Sequence, residues 1–513
     1  MIRKFLLCAL LLTLLPMYAQ DVASFEKRIQ VRTLPNGLTV ILMQRKEAPV
    51  FSFFTLVDAG SAQDPKGASG LAHMFEHMAF KGTDSIGTTN YAAEKIVLEK
   101  IEKAYAAYIA ERDKRVGQDP KKLAELEKQW QDLTAEAEKY VIRNQFPDYI
   151  ERNGGVGLNA STSEDDTTYY YSMPVNRLEL WSYLESERFL QPVMREFYKE
   201  RDVVYEERRM RVESNPIGRL LEQFQSAAFT AHPYGTPGIG WPSDLHSFSA
   251  TEAMEFYRKY YVPTNMTIAV VGDIEFAKTW PVIEKYFGRL PKRPQPDEAL
   301  TTEPPQTSER QVVLREMSQP VYIEGYHRPD YRNKDDVVYD AISDVVSNGR
   351  TSRLYRSLVR DKRIALQAGG FSGLPGIKYP HLFAFYGIPN REHTADEIRT
   401  ALRVEIERLK NEDITDDELQ MVKTRAKAGL IRSLGSNSGL ASQLAVYQAR
   451  FGDWREMFHQ IDKIEKVTKA DIRRVANATF VDTNRTVGIL ETTRPAAARQ
   501  QPGAQSQNQQ QPQ

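Results

Sequence analysis

A polar, proline-rich stretch at residues 291–305 cuts the chain in two, and the sequence on either side opens in the same way. In the first half, residues 29–32 and 38–43 alternate in strand fashion around Pro35-Asn36-Gly37, a hairpin turn signal. A nearly continuous apolar run at 50–57 follows, and a Gly-rich loop then leads into a helix near Ser69. In the second half, strands at 311–314 and 321–326 lead to a helix at 335–346. Recurrence of strand, strand and helix predicts two α+β domains of related design. Strands at 156–161, 167–172 and 267–271, helices at 177–189 and 197–213, and a helix that follows Gly272-Asp273 and runs to Phe287 complete the first half. The expected boundaries are 20–290 for the first domain, 291–309 for the linker and 310–494 for the second domain.

One segment departs from this pattern. Leu98, Ile101, Tyr105 and Tyr108 recur at helical spacing, as do Leu123, Leu126, Trp130, Leu133 and Ala137, with a break at Gly117 to Pro120. Two charged amphipathic helices folded back on each other are expected over about 92–145. They are either a solvated insertion or a partner-binding arm.

The termini and the charge narrow the setting. Arg3 and Lys4 precede an apolar stretch too short to cross a bilayer comfortably, and Ala19 closes a plausible cleavage site. Residues 1–19 therefore read as a secretory signal, with an uncleaved anchor as the alternative, and the destination is periplasmic or extracellular. Cys8 is the sole cysteine and lies within that segment, so the mature protein has no thiol for catalysis. Lys+Arg and Asp+Glu balance at 68 each, leaving no overall field to recruit nucleic acid or a membrane, and no stable membrane span is expected. Residues 495–513 are rich in Gln and Pro and should be disordered.

The chemistry sits in Leu71-Ala72-His73-Met74-Phe75-Glu76-His77-Met78. His73 and His77 are four apart, so a helix presents both imidazoles on one face, where they can grip one ion. Glu76 lies three after His73 on that face and can hold a water and accept its proton. A surface or capped core pair is the competing reading of two such histidines. The half-buried neighbours Leu71, Phe75 and Met78, and the acidic helix downstream, favour the metal. A third ligand must come from another element. Glu200 and Glu207 are seven apart, two turns along one helix face, while Glu206 points about 100° away from Glu207. Two imidazoles and one carboxylate suit Zn2+, one per chain. His246, His327, His381, His393 and His459 have no ligand-like spacing.

The segment from His73 to Thr83 resembles the signature helix and exit of the inverzincins, in particular the pitrilysin and mitochondrial processing peptidase family. Glu200 to Glu207 is similar to that family's downstream acidic element. The resemblance implies two α/β-sandwich domains enclosing a substrate chamber, and a zinc-dependent endopeptidase acting on extended peptides or unfolded protein. It implies Glu207 as third ligand, Glu200 as a supporting acid, and the strand carrying Asn159 and Ala160 as the edge where substrate adds as a further strand.

Two departures accompany it. The gap from His77 to Glu207 exceeds the usual one by roughly fifty residues, about the size of the helical hairpin, which a loop tolerates. The family's second domain also carries an Arg and a Tyr that reach the substrate carbonyl. Here Ser352-Arg353-Leu354 and Arg360 match, Arg360 as a substrate contact, but Gln367 stands at the Tyr position. Either the chain works alone with a weakened oxyanion site, or a paralogous subunit supplies the Arg/Tyr pair. A non-catalytic scaffold or peptide-binding subunit is the reading from a different class.

Overall fold

The computed structural model describes residues 22–297 and 300–493. The expected signal with Cys8 and the Gln/Pro tail lie outside the described residues. Six strands form the first sheet: β1 Ile29–Thr33, β2 Thr39–Gln44, β3 Val50–Val57, β4 Val156–Thr162, β5 Thr167–Pro174 and β6 Met266–Gly272. Their spatial order is β1-β2-β6-β3-β5-β4. Five form the second: β7 Arg310–Glu316, β8 Val321–Arg328, β9 Ala365–Leu374, β10 His381–Pro389 and β11 Arg485–Thr492, in the order β7-β11-β8-β10-β9.

With β1 set aside, the two orders correspond strand for strand. Each half's opening strand runs parallel to its last, β2 with β6 and β7 with β11. The next strand lies antiparallel to that last one, β3 beside β6 and β8 beside β11. A hairpin then continues to the sheet's edge, β5 with β4 and β10 with β9. The short repeat seen in sequence therefore extends to whole sheets.

Strand β2 shows why the apolar runs are continuous. Val40 and Leu42 enter the first core beside Leu71, Phe75 and Trp181, while Ile41 and Met43 face a second apolar layer. A strand buried on both faces has no polar side. That second layer is covered by a helix from the other half, Asn437–Phe451, whose Leu440, Ala441, Leu444 and Ala445 lie on Ile41, Met43, Ala269 and Val271. The exchange is mutual. First-half helix Pro216–Ala228 lays Leu220, Phe224 and Ala228 on Val321, Ile323, Leu382 and Ala384 of the second sheet. Burial of each such leucine stabilises the joint by about 2 kcal/mol.

The hairpin consists of Tyr91–Arg112 and Pro120–Ala137, packed along each other. Gly117 turns the chain at φ 73°, and the Asp119 carboxylate caps the second helix ahead of Pro120. Its root is docked on the rest of the domain. Buried Glu94 takes two hydrogen bonds from Arg195, at 2.6 and 2.8 Å, and Trp130 packs against Tyr105, Tyr108 and Tyr198. No helix among the described residues is long and apolar enough to cross a membrane.

Candidate active site

Helix Leu71–Met78 begins at Gly70, whose φ of 90° and whose approach to the Ile239 carbonyl leave no room for a side chain. The Asp64 carboxylate accepts the Gly70 and Ala72 N–H groups at 2.7 and 2.8 Å, fixing the helix start. Leu71, Met74, Phe75 and Met78 are buried. The opposite face carries His73, Glu76 and His77 toward helix Phe197–Arg208.

The three expected ligands converge. One ligand atom from each of His73, His77 and Glu207 lies within 4.8 Å of the others. Glu207 Oε2 stands 3.7 Å from His73 Nε2 and 3.5 Å from His77 Nε2. Ligand atoms around a tetrahedral zinc with bonds of about 2.1 Å are about 3.4 Å apart, so the spacing fits an ion held between them. The protonation of His73 fits as well: burial first, then the neighbouring His77, push it down to about 4, keeping that ring neutral. Glu207 Oε1 takes a 2.6 Å contact from Arg211, leaving Oε2 facing the imidazoles. Glu206 points outward and bonds Arg209.

Glu200 holds the far side of His77. Its Oε1 is 2.8 Å from His77 Nδ1, which leaves Nε2 for the ion, and its other oxygen pairs with Lys81. Burial opposes charge on Glu200, but the bonds to His77 and Lys81 prevail and hold it down to about 2. Burial likewise opposes charge on His77, yet its bonds to Glu200 and Glu207 raise it to about 9. Glu76 is raised by burial, against a 2.7 Å hydrogen bond from the Thr162 hydroxyl.

A cavity of about 370 Å³ opens beside Glu76 and His77, and Leu158, Asn159 and Ala160 of β4 line it together with Phe80, Ile142 and Glu200. β4 is the edge of the sheet. Every residue lining this cavity comes from the first half. Arg360 is not among them. It is exposed in the second half, its guanidinium spanning the adjacent Asp361 at 2.6 and 3.1 Å. Arg353 is buried against Glu418 at 2.9 and 2.8 Å, and Gln367 donates to the Tyr386 hydroxyl at 3.2 Å. Spacing in the sequence does not mark Thr162 or Lys81, because what gives them a role is a contact across the fold, to Glu76 and to Glu200.

The family model described as Insulinase (Peptidase family M16) matches residues 39–112 and 134–240, and the one described as Peptidase M16 inactive domain matches residues 247–426. Against the zinc protease PqqE of Helicobacter pylori the chain is 30% identical over 486 residues, covering 93% of this chain and 95% of that one. The chain belongs to peptidase family M16. The M16 match omits residues 113–133, the hairpin turn and most of its second helix. A probable mitochondrial-processing peptidase subunit beta of Arabidopsis thaliana is 21% identical over 478 residues, covering 88% of this M16 chain and 76% of that one. Among solved structures, a protease from Helicobacter pylori superposes with a TM-score of 0.74 at 28% identity, covering 90% of this chain and 99% of that one. The periplasmic protease PqqL from Escherichia coli gives 0.66 at 16% identity, covering 93% of this chain and 49% of that one, a likeness of fold.

Proposed function

We propose that the chain is a zinc-dependent endopeptidase, or the catalytic subunit of a heterodimeric one, that hydrolyses extended peptides. The observation that carries this is the convergence of His73, His77 and Glu207 at ligand spacing, with Glu76 on the same helix face. Zinc, when bound there, supplies acidity to a water by lowering its pKa to about 7 and polarises the peptide carbonyl. Glu76 accepts the proton of the attacking water and delivers it to the leaving amine, a task suited to a carboxylate raised above its ordinary range. Thr162 orients Glu76, and Glu200 fixes the His77 ring. The substrate backbone pairs with the free edge of β4 beside Asn159 and Ala160.

A second subunit fits the same picture. The cavity draws nothing from the second half, Arg360 is engaged by Asp361, and Gln367 by Tyr386. A paralogous chain supplying an Arg/Tyr pair would face the site from its open side. A periplasmic setting accords with the signal-like N-terminus and with the description of PqqL.

The test is Glu76→Gln in purified protein with metal content measured. Zinc should remain near one per chain while peptide hydrolysis falls by about 100-fold or more. Unchanged turnover would remove Glu76 from the mechanism, and a wild-type chain that takes up no zinc would remove the reading itself.

A further inference from the structure

The tip of the β4–β5 hairpin, residues 163–166, is tied to the second half by contacts that the chemistry above does not use. Ser163 Oγ closes the turn by accepting the N–H groups of Asp165 and Asp166 at 3.1 and 3.0 Å. The Ser163 and Glu164 carbonyls accept the N–H groups of Ser61 and Ala62, both at 3.0 Å. Asp165 is 4% exposed. One of its oxygens takes the Tyr234 phenol, and the other takes the N–H groups of Ile377 and Lys378 at 2.7 and 3.0 Å. Asp166 pairs with Arg450 at 3.0 Å, and Lys378 with Asp58 at 2.8 Å.

Gly376 makes this approach possible. A Cβ there would stand 2.5 Å from the Tyr234 hydroxyl oxygen and 2.7 and 2.8 Å from the two Asp165 oxygens. A buried carboxylate with three donors aimed at it is more than the joint between the halves requires, because the exchanged helices already supply a large apolar seam. What the carboxylate adds is location. Asp165 follows Thr162 by three residues, and Thr162 is the hydrogen-bond donor to Glu76.

We infer that Asp165 is a positioning residue, through which the Gly376–Lys378 turn of the second half sets Thr162 against Glu76 and steadies the edge offered to substrate. This assigns the metal-free half a part in the reaction, and it rests on the hydrolase reading above.

The experiment uses the full chain loaded with zinc, with rates on an unstructured peptide expressed per bound zinc. Asp165→Asn, Gly376→Ala and Thr162→Val should each lower kcat by about tenfold at unchanged zinc content, and Asp165→Asn/Thr162→Val should be no slower than Thr162→Val alone. Hydrogen exchange over residues 156–172 should be faster in Asp165→Asn and in Gly376→Ala than in wild type. Multiplicative loss in the double variant, near 100-fold, would overturn the inference, since Asp165 would then not act through Thr162. So would wild-type exchange in the hairpin of both single variants. Should Asp165→Asn fail to fold, Gly376→Ala perturbs the same contact from the other side. If zinc-loaded wild type shows no turnover, the hydrolase reading fails, and the exchange measurement alone decides whether the clasp exists.

Discussion

Replacing Glu200 in two ways separates its charge from its hydrogen bond. In Glu200→Gln an oxygen can still accept from His77 Nδ1, now 2.8 Å from the carboxylate, but the bond becomes one between neutral groups. Charge-assisted hydrogen bonds contribute about 1.5–3 kcal/mol and neutral ones about 0.5–1.5, so the expected loss is about 1–1.5 kcal/mol. Lys81 keeps a partner in Glu196 at 3.6 Å, which limits any further cost. Zinc affinity should therefore fall about tenfold in Glu200→Gln. Glu200→Ala removes the acceptor altogether and frees the imidazole to turn, and the fall should approach 100-fold. Competition against a chromophoric chelator at pH 9.5, above the value of about 9 to which its bonds to Glu200 and Glu207 raise His77, measures both without a proton competing for the ring, with circular dichroism confirming that the fold is intact. Affinities within about twofold of wild type in both variants would refute the argument that this carboxylate orients His77.

Two further predictions concern stability. Arg195 gives all its donors to Glu94 and to the carbonyls of Lys81, Thr83 and Ile86, so Glu94→Ala leaves a buried guanidinium half unpaired; it should cost about 3–5 kcal/mol in urea unfolding. A loss under about 1 kcal/mol would show that water reaches the pair. Burial disfavours charge on Glu418, but the bonds from Arg353 hold it down to about 2 from an ordinary 4.5. A lowered carboxylate stabilises fully above the unfolded value, and that contribution, at most about 3 kcal/mol, drains away as the pH falls through the folded one. Urea midpoints at pH 7 and pH 3 should therefore differ more for wild type than for Glu418→Gln, and equal differences would exclude the pair as the cause.

Local periodicity made the helix Leu71–Met78 legible, because His73, Glu76 and His77 share a face through the helix repeat alone. The same holds for β3 and β6, whose apolar runs show burial on both faces. Glu207 needed the resemblance as well as its spacing from Glu200, since nothing within the helix fixes which face looks at the histidines. Contacts between distant parts of the chain left no such trace. Arg195 and Glu94 are 101 residues apart, Thr162 and Glu76 are 86 apart, and Asp165 and Ile377 are 212 apart. The second half's β9, β10 and β11 and its crossing helix were likewise hidden, for the sequence repeat is distinct only in its first three elements. The Arg211–Glu207 pair differs: four apart, with Arg211 in the π-helical turn Arg209–Glu213 that continues the helix, it is visible in sequence, but its meaning depends on which oxygen faces the imidazoles.

The swapped helices limit how this chain can be shortened. A protein engineer who severed it near residue 298 would obtain two pieces, each missing the lid of its own sheet and each carrying its sibling's lid as a stranded greasy rod. Neither piece would be a smaller enzyme. Mixed together they should find one another, because what each lacks is what the other displays.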